Sequence, residues 1–137
     1  MDKISVLIVD DSTVDRYILI RQLKKMGIVD IFEKDDGASA LEFLEKYEEN
    51  AITYNGKFPP VIIFLDINMP LVGGFEFLEK FEELRNRLEL KSCVIMMFSS
   101  SERPEDKEKA FHFDFVKDFL TKGDISIEDL KSKIEAI

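Results

Sequence analysis

Histidine and cysteine each occur once in this chain of 137 residues, proline four times and glycine six. The single cysteine, Cys93, excludes an internal disulfide and points to a reducing compartment; with no neighbouring base it is expected to pack. His112 has no serine, cysteine or aspartate arranged around it as a catalytic partner, so histidine-based catalysis is disfavoured and a surface or helix-end place is expected. No apolar run approaches the roughly 18 residues that cross a bilayer. The opening Met-Asp-Lys-Ile has no signal-peptide pattern, which makes a cytoplasmic protein without membrane contact the expectation. Neither GxGxxG nor GxxxxGKS/T occurs, so the common phosphate-cradling loops are missing. Basic residues are also short, 19 Lys and Arg against 28 Asp and Glu, for a net charge of −9. That balance disfavours nucleic acid and directs the search for partners to proteins.

What is present is ample core material. Hydrophobic residues make up 45% of the chain and include twelve Phe, enough for one domain spanning residues 1–137 with no room for a second folded module. Nothing repeats and no segment is low-complexity. Short apolar runs alternate with stretches of helical period, the pattern of an α/β domain with a parallel sheet, and five such pairs are legible. Strands are expected near residues 5–9, 30–34, 61–65, 93–98 and 116–121; the second is charged and weak, as an edge strand would be. Helical faces follow at Leu19, Leu23 and Met26; at Ala38, Leu41 and Leu44; at Phe77, Phe81, Leu84 and Leu88; after Pro104; and at Ile127, Leu130, Ile134 and Ile137. Residues 45–60, polar and ending in Pro59-Pro60, read as an extended surface loop.

The strand ends carry the chemistry. Val6-Leu7-Ile8-Val9 closes on Asp10-Asp11, and Val61-Ile62-Ile63-Phe64-Leu65 closes on Asp66, which is expected to be presented at the sheet edge rather than buried. The fourth strand runs into Ser99-Ser100-Ser101 and the fifth ends at Lys122. Carboxyl ends of parallel strands lie side by side, so these groups converge on one crevice. Three crowded carboxylates require a cation, and an all-oxygen shell suits Mg2+ better than zinc. Asp66 can attack phosphorus as an oxygen nucleophile, with Lys122 and Ser99 contacting phosphoryl oxygens.

The elements Val9-Asp10-Asp11-Ser12, Leu65-Asp66-Ile67-Asn68-Met69-Pro70 with Gly73-Gly74, Phe98-Ser99-Ser100 and Phe119-Leu120-Thr121-Lys122 resemble those of response-regulator receiver domains, in order and spacing across nearly the whole chain. The resemblance implies a single three-layer (βα)5 doubly wound sheet with flavodoxin-like strand order 2-1-3-4-5. It implies that Asp66 is the phosphoacceptor; that Asp10, Asp11, Asp66 and the Asn68 backbone carbonyl hold Mg2+; that Ser99 is the switch hydroxyl and Phe119 the switch aromatic; and that Lys122 senses the phosphate. It further implies a stand-alone regulator without an output domain, phosphorylated by a sensor histidine kinase or phosphotransfer protein and signalling to a downstream protein through the face of its fourth helix, fifth strand and fifth helix. A relay shuttle is the alternative within the family.

Two positions depart from the family pattern. Gly123 stands where proline usually follows the lysine, so nothing obliges a cis bond there, and the switch hydroxyl is serine rather than threonine. Ser101 and the Asn68 side chain flank the expected water path. Phe111, Phe113 and Phe115 flank the signalling face, most of them expected in the core. Two other classes fit less well. A phosphohydrolase with an aspartate nucleophile expects a second acid two residues on, where Asn68 stands, and a nucleotide or flavin binder lacks its phosphate loop.

Overall fold

The computed structural model describes residues 4–137; the first three residues, and with them most of the segment read as lacking a signal pattern, lie outside it. Its strands are β1 (Ser5–Val9), β2 (Asp30–Lys34), β3 (Ile62–Leu65), β4 (Val94–Ser99) and β5 (Val116–Thr121). Its helices are α1 (Thr13–Lys25), α2 (Gly37–Glu45), α3 (Tyr47–Thr53), α4 (Gly74–Arg87), α5 (Pro104–Phe111) and α6 (Ile127–Glu135). All pairings are parallel, and the sheet runs β2-β1-β3-β4-β5. The expected three-layer, doubly wound order is thus the one observed.

The sheet is covered on both faces, and strand alternation decides which side chain goes where. Leu7, Val9, Ile63, Leu65, Ile95 and Met97 join one core cluster with residues of α2, α4 and α5. Val6, Ile8, Ile62, Phe64 and Met96 join the other, against Leu19 and Leu23 of α1 and Leu130 and Ile134 of α6. No helix among the described residues is long and apolar enough to cross a membrane.

Two sequence expectations are corrected. Residues 45–60 are not a continuous loop, because α3 occupies Tyr47–Thr53. No residue of α3 is buried, which is why its period is faint. It is held by contacts that periodicity does not report: the Asn50 side chain donates to the Phe43 carbonyl at 2.6 Å, and the Tyr47 and Phe58 rings meet edge to face at 5.2 Å. Glu48 and Glu49 in its first turn complement the helix dipole. At the other end, Ile137 does not extend the buried face of the last helix. It lies beyond the end of α6 and is 46% exposed. His112 caps α5 at an exposed helix end, as expected.

Candidate functional site

Register brings the two acidic strand ends together. Val9 pairs with Leu65 across β1 and β3, so the next residues, Asp10 and Asp66, leave the sheet side by side. Asp66 N–H donates to the Val9 carbonyl at 3.0 Å and Asp10 N–H to the Lys34 carbonyl at 3.1 Å, continuing the ladder one residue past the strands. Carboxylate oxygens of Asp10, Asp11 and Asp66 all lie within 4.8 Å of one another. On the other flank the Lys122 N–H donates to the Ser99 carbonyl at 2.8 Å, which sets the lysine at the end of β5 beside β4.

The Lys122 side chain crosses back over this edge. Its Nζ is 2.6 Å from Asp10 Oδ2, 3.0 Å from Asp15 Oδ2 and 3.3 Å from Asp66 Oδ2. Asp66 Oδ1 accepts from the Ile67 N–H at 2.8 Å, and Asp10 Oδ1 accepts from the Ser12 N–H at 2.9 Å. Asp10 and Asp66 are therefore buried, which corrects the expectation that Asp66 stands presented; of the three acids only Asp11 is exposed. The loop after β3 folds over Asp66, and Gly74 makes this possible. A Cβ at Gly74 would lie 2.6 Å from the Asp66 carbonyl oxygen and 2.8 Å from Ile67 Cα.

Burial sets the electrostatics. Desolvation pushes the Asp10 carboxyl above its ordinary value, against the lowering effect of its hydrogen bonds to Lys122 and Ser12. Burial by itself would lower Lys122, but hydrogen bonds to Asp10 and Asp15 and the charges of Asp66 and Asp10 overcome it and hold the ammonium above the usual lysine range. The pocket thus already draws a cation into itself. An all-oxygen donor set that holds an ammonium between two buried carboxylates fits a hard divalent ion such as Mg2+.

The remaining sequence candidates have other partners than the Asp10, Asp66 and Lys122 side chains. Ser99 is fully buried, its Oγ accepting from the Ser101 N–H at 3.3 Å. Ser101 Oγ donates to Asp106 Oδ2 at 2.5 Å. Asn68 lies exposed in the loop after β3 and lines, with Ser101, an open cavity of roughly 580 Å3. Phe119 is packed inward at 8% exposure with the Lys107 ammonium 5.8 Å from its ring centre; Phe115 is buried, whereas Phe111 is half exposed. The described chain has its cis peptide before Pro59, so the bond after Lys122 is trans, and Gly123 adopts φ +85°. Cys93 is buried, and desolvation pushes its thiol up to about 12.

Two residues escaped the sequence reading. Asp15 reaches Lys122 from the first turn of α1, and Arg16 Nη1 donates to the Asp10 carbonyl at 2.5 Å while its Nε holds Glu33 at 3.2 Å. A signal for Asp15 exists in Ser12-Thr13-Val14-Asp15, the spacing of a helix N-cap and an acid three residues on. Ser12 Oγ does accept from the Asp15 N–H at 3.1 Å, which fixes Asp15 on the turn facing the strand ends.

The comparisons agree with this geometry. The family model of the response regulator receiver domain matches residues 6–135. The two-component response regulator ARR3 of Arabidopsis thaliana is 32% identical over 95% of this chain, which spans about half, 54%, of that relative. A two-component response regulator from Cytophaga hutchinsonii superposes with a TM-score of 0.78 at 25% identity, covering 99% of this chain and 97% of that one. The receiver domain of the Arabidopsis thaliana histidine kinase CKI1, solved with Mg2+ and BeF3-, superposes with a TM-score of 0.76 over 96% of this chain and 89% of that one; at 23% identity it attests the fold. With the family model running from β1 to the last turn of α6 and the acidic strand ends in register, the chain belongs to the response regulator receiver domains.

Proposed function

We propose that residues 1–137 act as one phosphoacceptor unit in which Asp66 takes a phosphoryl group from a sensor histidine kinase or a phosphotransfer protein. The observation that carries this reading is the convergence of Lys122 with Asp10 and Asp66 from the ends of three strands, with Lys122 Nζ 2.6 and 3.3 Å from the two carboxylates. A carboxylate oxygen of Asp66 attacks phosphorus, forming the acyl phosphate bond as the bond from phosphorus to the donor's leaving atom breaks. Lys122, whose Nζ donates to Asp66 Oδ2 at 3.3 Å, would contact a phosphoryl oxygen and offset the added negative charge. Ser99 would donate its hydroxyl proton to another phosphoryl oxygen.

Asp10, Asp11, Asp66 and the Asn68 carbonyl would hold Mg2+, which when bound offsets charge on the transferred oxygens. The support for this is the cluster of Asp10, Asp11 and Asp66, whose carboxylate oxygens lie within 4.8 Å of one another. The phosphorylated state would reach a downstream protein through α5, β5 and α6, with Ser99 at the end of β4 and Phe119 on β5 coupling the pocket to that face. Phosphohydrolase action is less well supported, because the position two residues after Asp66 is Asn68, whose amide is no general acid.

The experiment is incubation with acetyl phosphate and MgCl2, followed by intact-mass measurement of the wild type and Asp66→Ala. A single phosphoryl adduct on the wild type alone is expected. Equal labelling of Asp66→Ala would overturn the assignment.

A further inference from the structure

Lys122 faces three carboxylates, and only two of them belong to the cation pocket. Asp10 and Asp66, with Asp11, form the group whose oxygens lie within 4.8 Å of one another. Asp15 is outside that group. It comes from α1, 107 positions before Lys122 in sequence, and meets the ammonium at 3.0 Å, closer than Asp66 does. Its backbone is fixed by the Ser12 cap, so it is presented to Lys122 by the first turn of the helix.

A divalent cation among Asp10, Asp11 and Asp66 would displace the lysine. An ion held there would compete for the carboxylates that Lys122 contacts at 2.6 and 3.3 Å, and its charge would repel the ammonium. Lys122 must withdraw from Asp10, yet the phosphoryl chemistry needs it to remain beside Asp66. Asp15 is the one carboxylate partner that the cation leaves to it among the contacts of Lys122 in the described residues.

From this geometry we infer that Asp15 is a positioning residue: it retains the Lys122 ammonium at the rim of the pocket while a divalent cation occupies Asp10 and Asp66. The inference rests on the phosphoacceptor reading for its purpose, but the ion equilibrium it predicts is measurable without phosphorylation. Without Asp15, the ion-pair partners of Lys122 among the described residues are the cation's own ligands, and the lysine would compete with the ion undivided.

The test is a double-mutant cycle on Mn2+ binding, read from the free-ion electron paramagnetic resonance signal, with folding checked by circular dichroism. Asp15→Asn is expected to weaken Mn2+ binding by about five-fold in the wild-type background and by less than about two-fold in Lys122→Ala, where no ammonium remains to be parked. Asp15→Glu, which keeps the carboxylate, should recover most of the loss. A helix-dipole or long-range charge role for Asp15 would act equally in both backgrounds. Equal losses in both backgrounds, no loss in either, or failure of Asp15→Glu to recover binding would each overturn the inference. Labelling the same wild-type preparation with acetyl phosphate separates the two claims. Labelled Asp66 with a failed cycle rejects the role of Asp15 alone. A wild type that neither binds Mn2+ nor accepts phosphate rejects both. A cycle that holds in a protein never labelled on Asp66 rejects the phosphoacceptor reading and keeps the Asp15 contact.

Discussion

Lys122 Nζ stands 3.3 Å from Asp66 Oδ2 across 56 positions of sequence, bridging the ends of two strands that are not neighbours in the sheet. The contact exists because β4, lying between them, ends at Ser99, whose carbonyl accepts the Lys122 N–H. Sheet register, more than any local motif, brings the phosphoacceptor candidate and its cation together.

The charge state of Lys122 predicts an alkaline signature. Its pKa in the folded chain is raised above the ordinary 10.5, because the pairing with Asp10, Asp15 and Asp66 outweighs burial. A raised folded pKa means the contribution is whole below 10.5 and is lost as pH climbs through the folded value. Urea unfolding from about pH 9 to about pH 12 should show the wild type losing stability relative to Lys122→Met above the unfolded lysine pKa. A difference between the two that stays constant across that range would contradict the pairing.

Divalent ions should stabilise the fold. A ligand that binds only the native state adds about 2.7 kcal/mol at a hundred-fold excess over its dissociation constant. Thermal melts are expected to rise with MgCl2, to fall back with EDTA, and to be insensitive to MgCl2 in Asp10→Asn. An equal rise in Asp10→Asn would place the ion elsewhere.

Gly74 is predicted to tolerate no side chain. A Cβ there meets backbone atoms of Asp66 and Ile67 at 2.6 and 2.8 Å, and backbone cannot swing aside as a flexible side chain would. Overpacking of this kind costs about 1–3 kcal/mol. Gly74→Ala should lower the urea midpoint accordingly and slow labelling of Asp66 by displacing its loop; an unchanged midpoint would show that the loop can open at no cost.

Gly123 separates conformational from steric cost. Its φ of +85° disfavours any L side chain, yet nothing lies within 4 Å of a Cβ built there. Gly123→Ala should therefore cost only the backbone preference, about 1–2 kcal/mol. Gly123→Pro, locked near φ −65°, should cost more and weaken Mg2+ binding by moving Lys122. Equal stability of the two variants in urea would contradict this reading.

The sequence made the strands and their polar ends legible because buried parallel strands are continuous apolar runs, and Asp10, Asp66, Ser99 and Lys122 stand where those runs stop or the chain turns away. It concealed α3, which has no fully buried residue and packs on the core only through the partly buried Tyr47 and Ala51, too few for a periodic trace. It also concealed the burial of Asp66, whose carboxylate is met by Lys122 and the Ile67 N–H, and the contacts that Asp15 and Arg16 make across the sheet edge. The Ser12 to Asp15 spacing announced a helix start but not the lysine waiting opposite it.

Borohydride reduction of the acetyl phosphate-treated protein, followed by peptide sequencing, tests the central claim most directly, since an acyl phosphate on aspartate is reduced to homoserine. Homoserine at position 66 alone, formed with MgCl2 and absent with EDTA, is the predicted result. Homoserine at position 10 or 11, or none at any position while the protein remains folded, would contradict it.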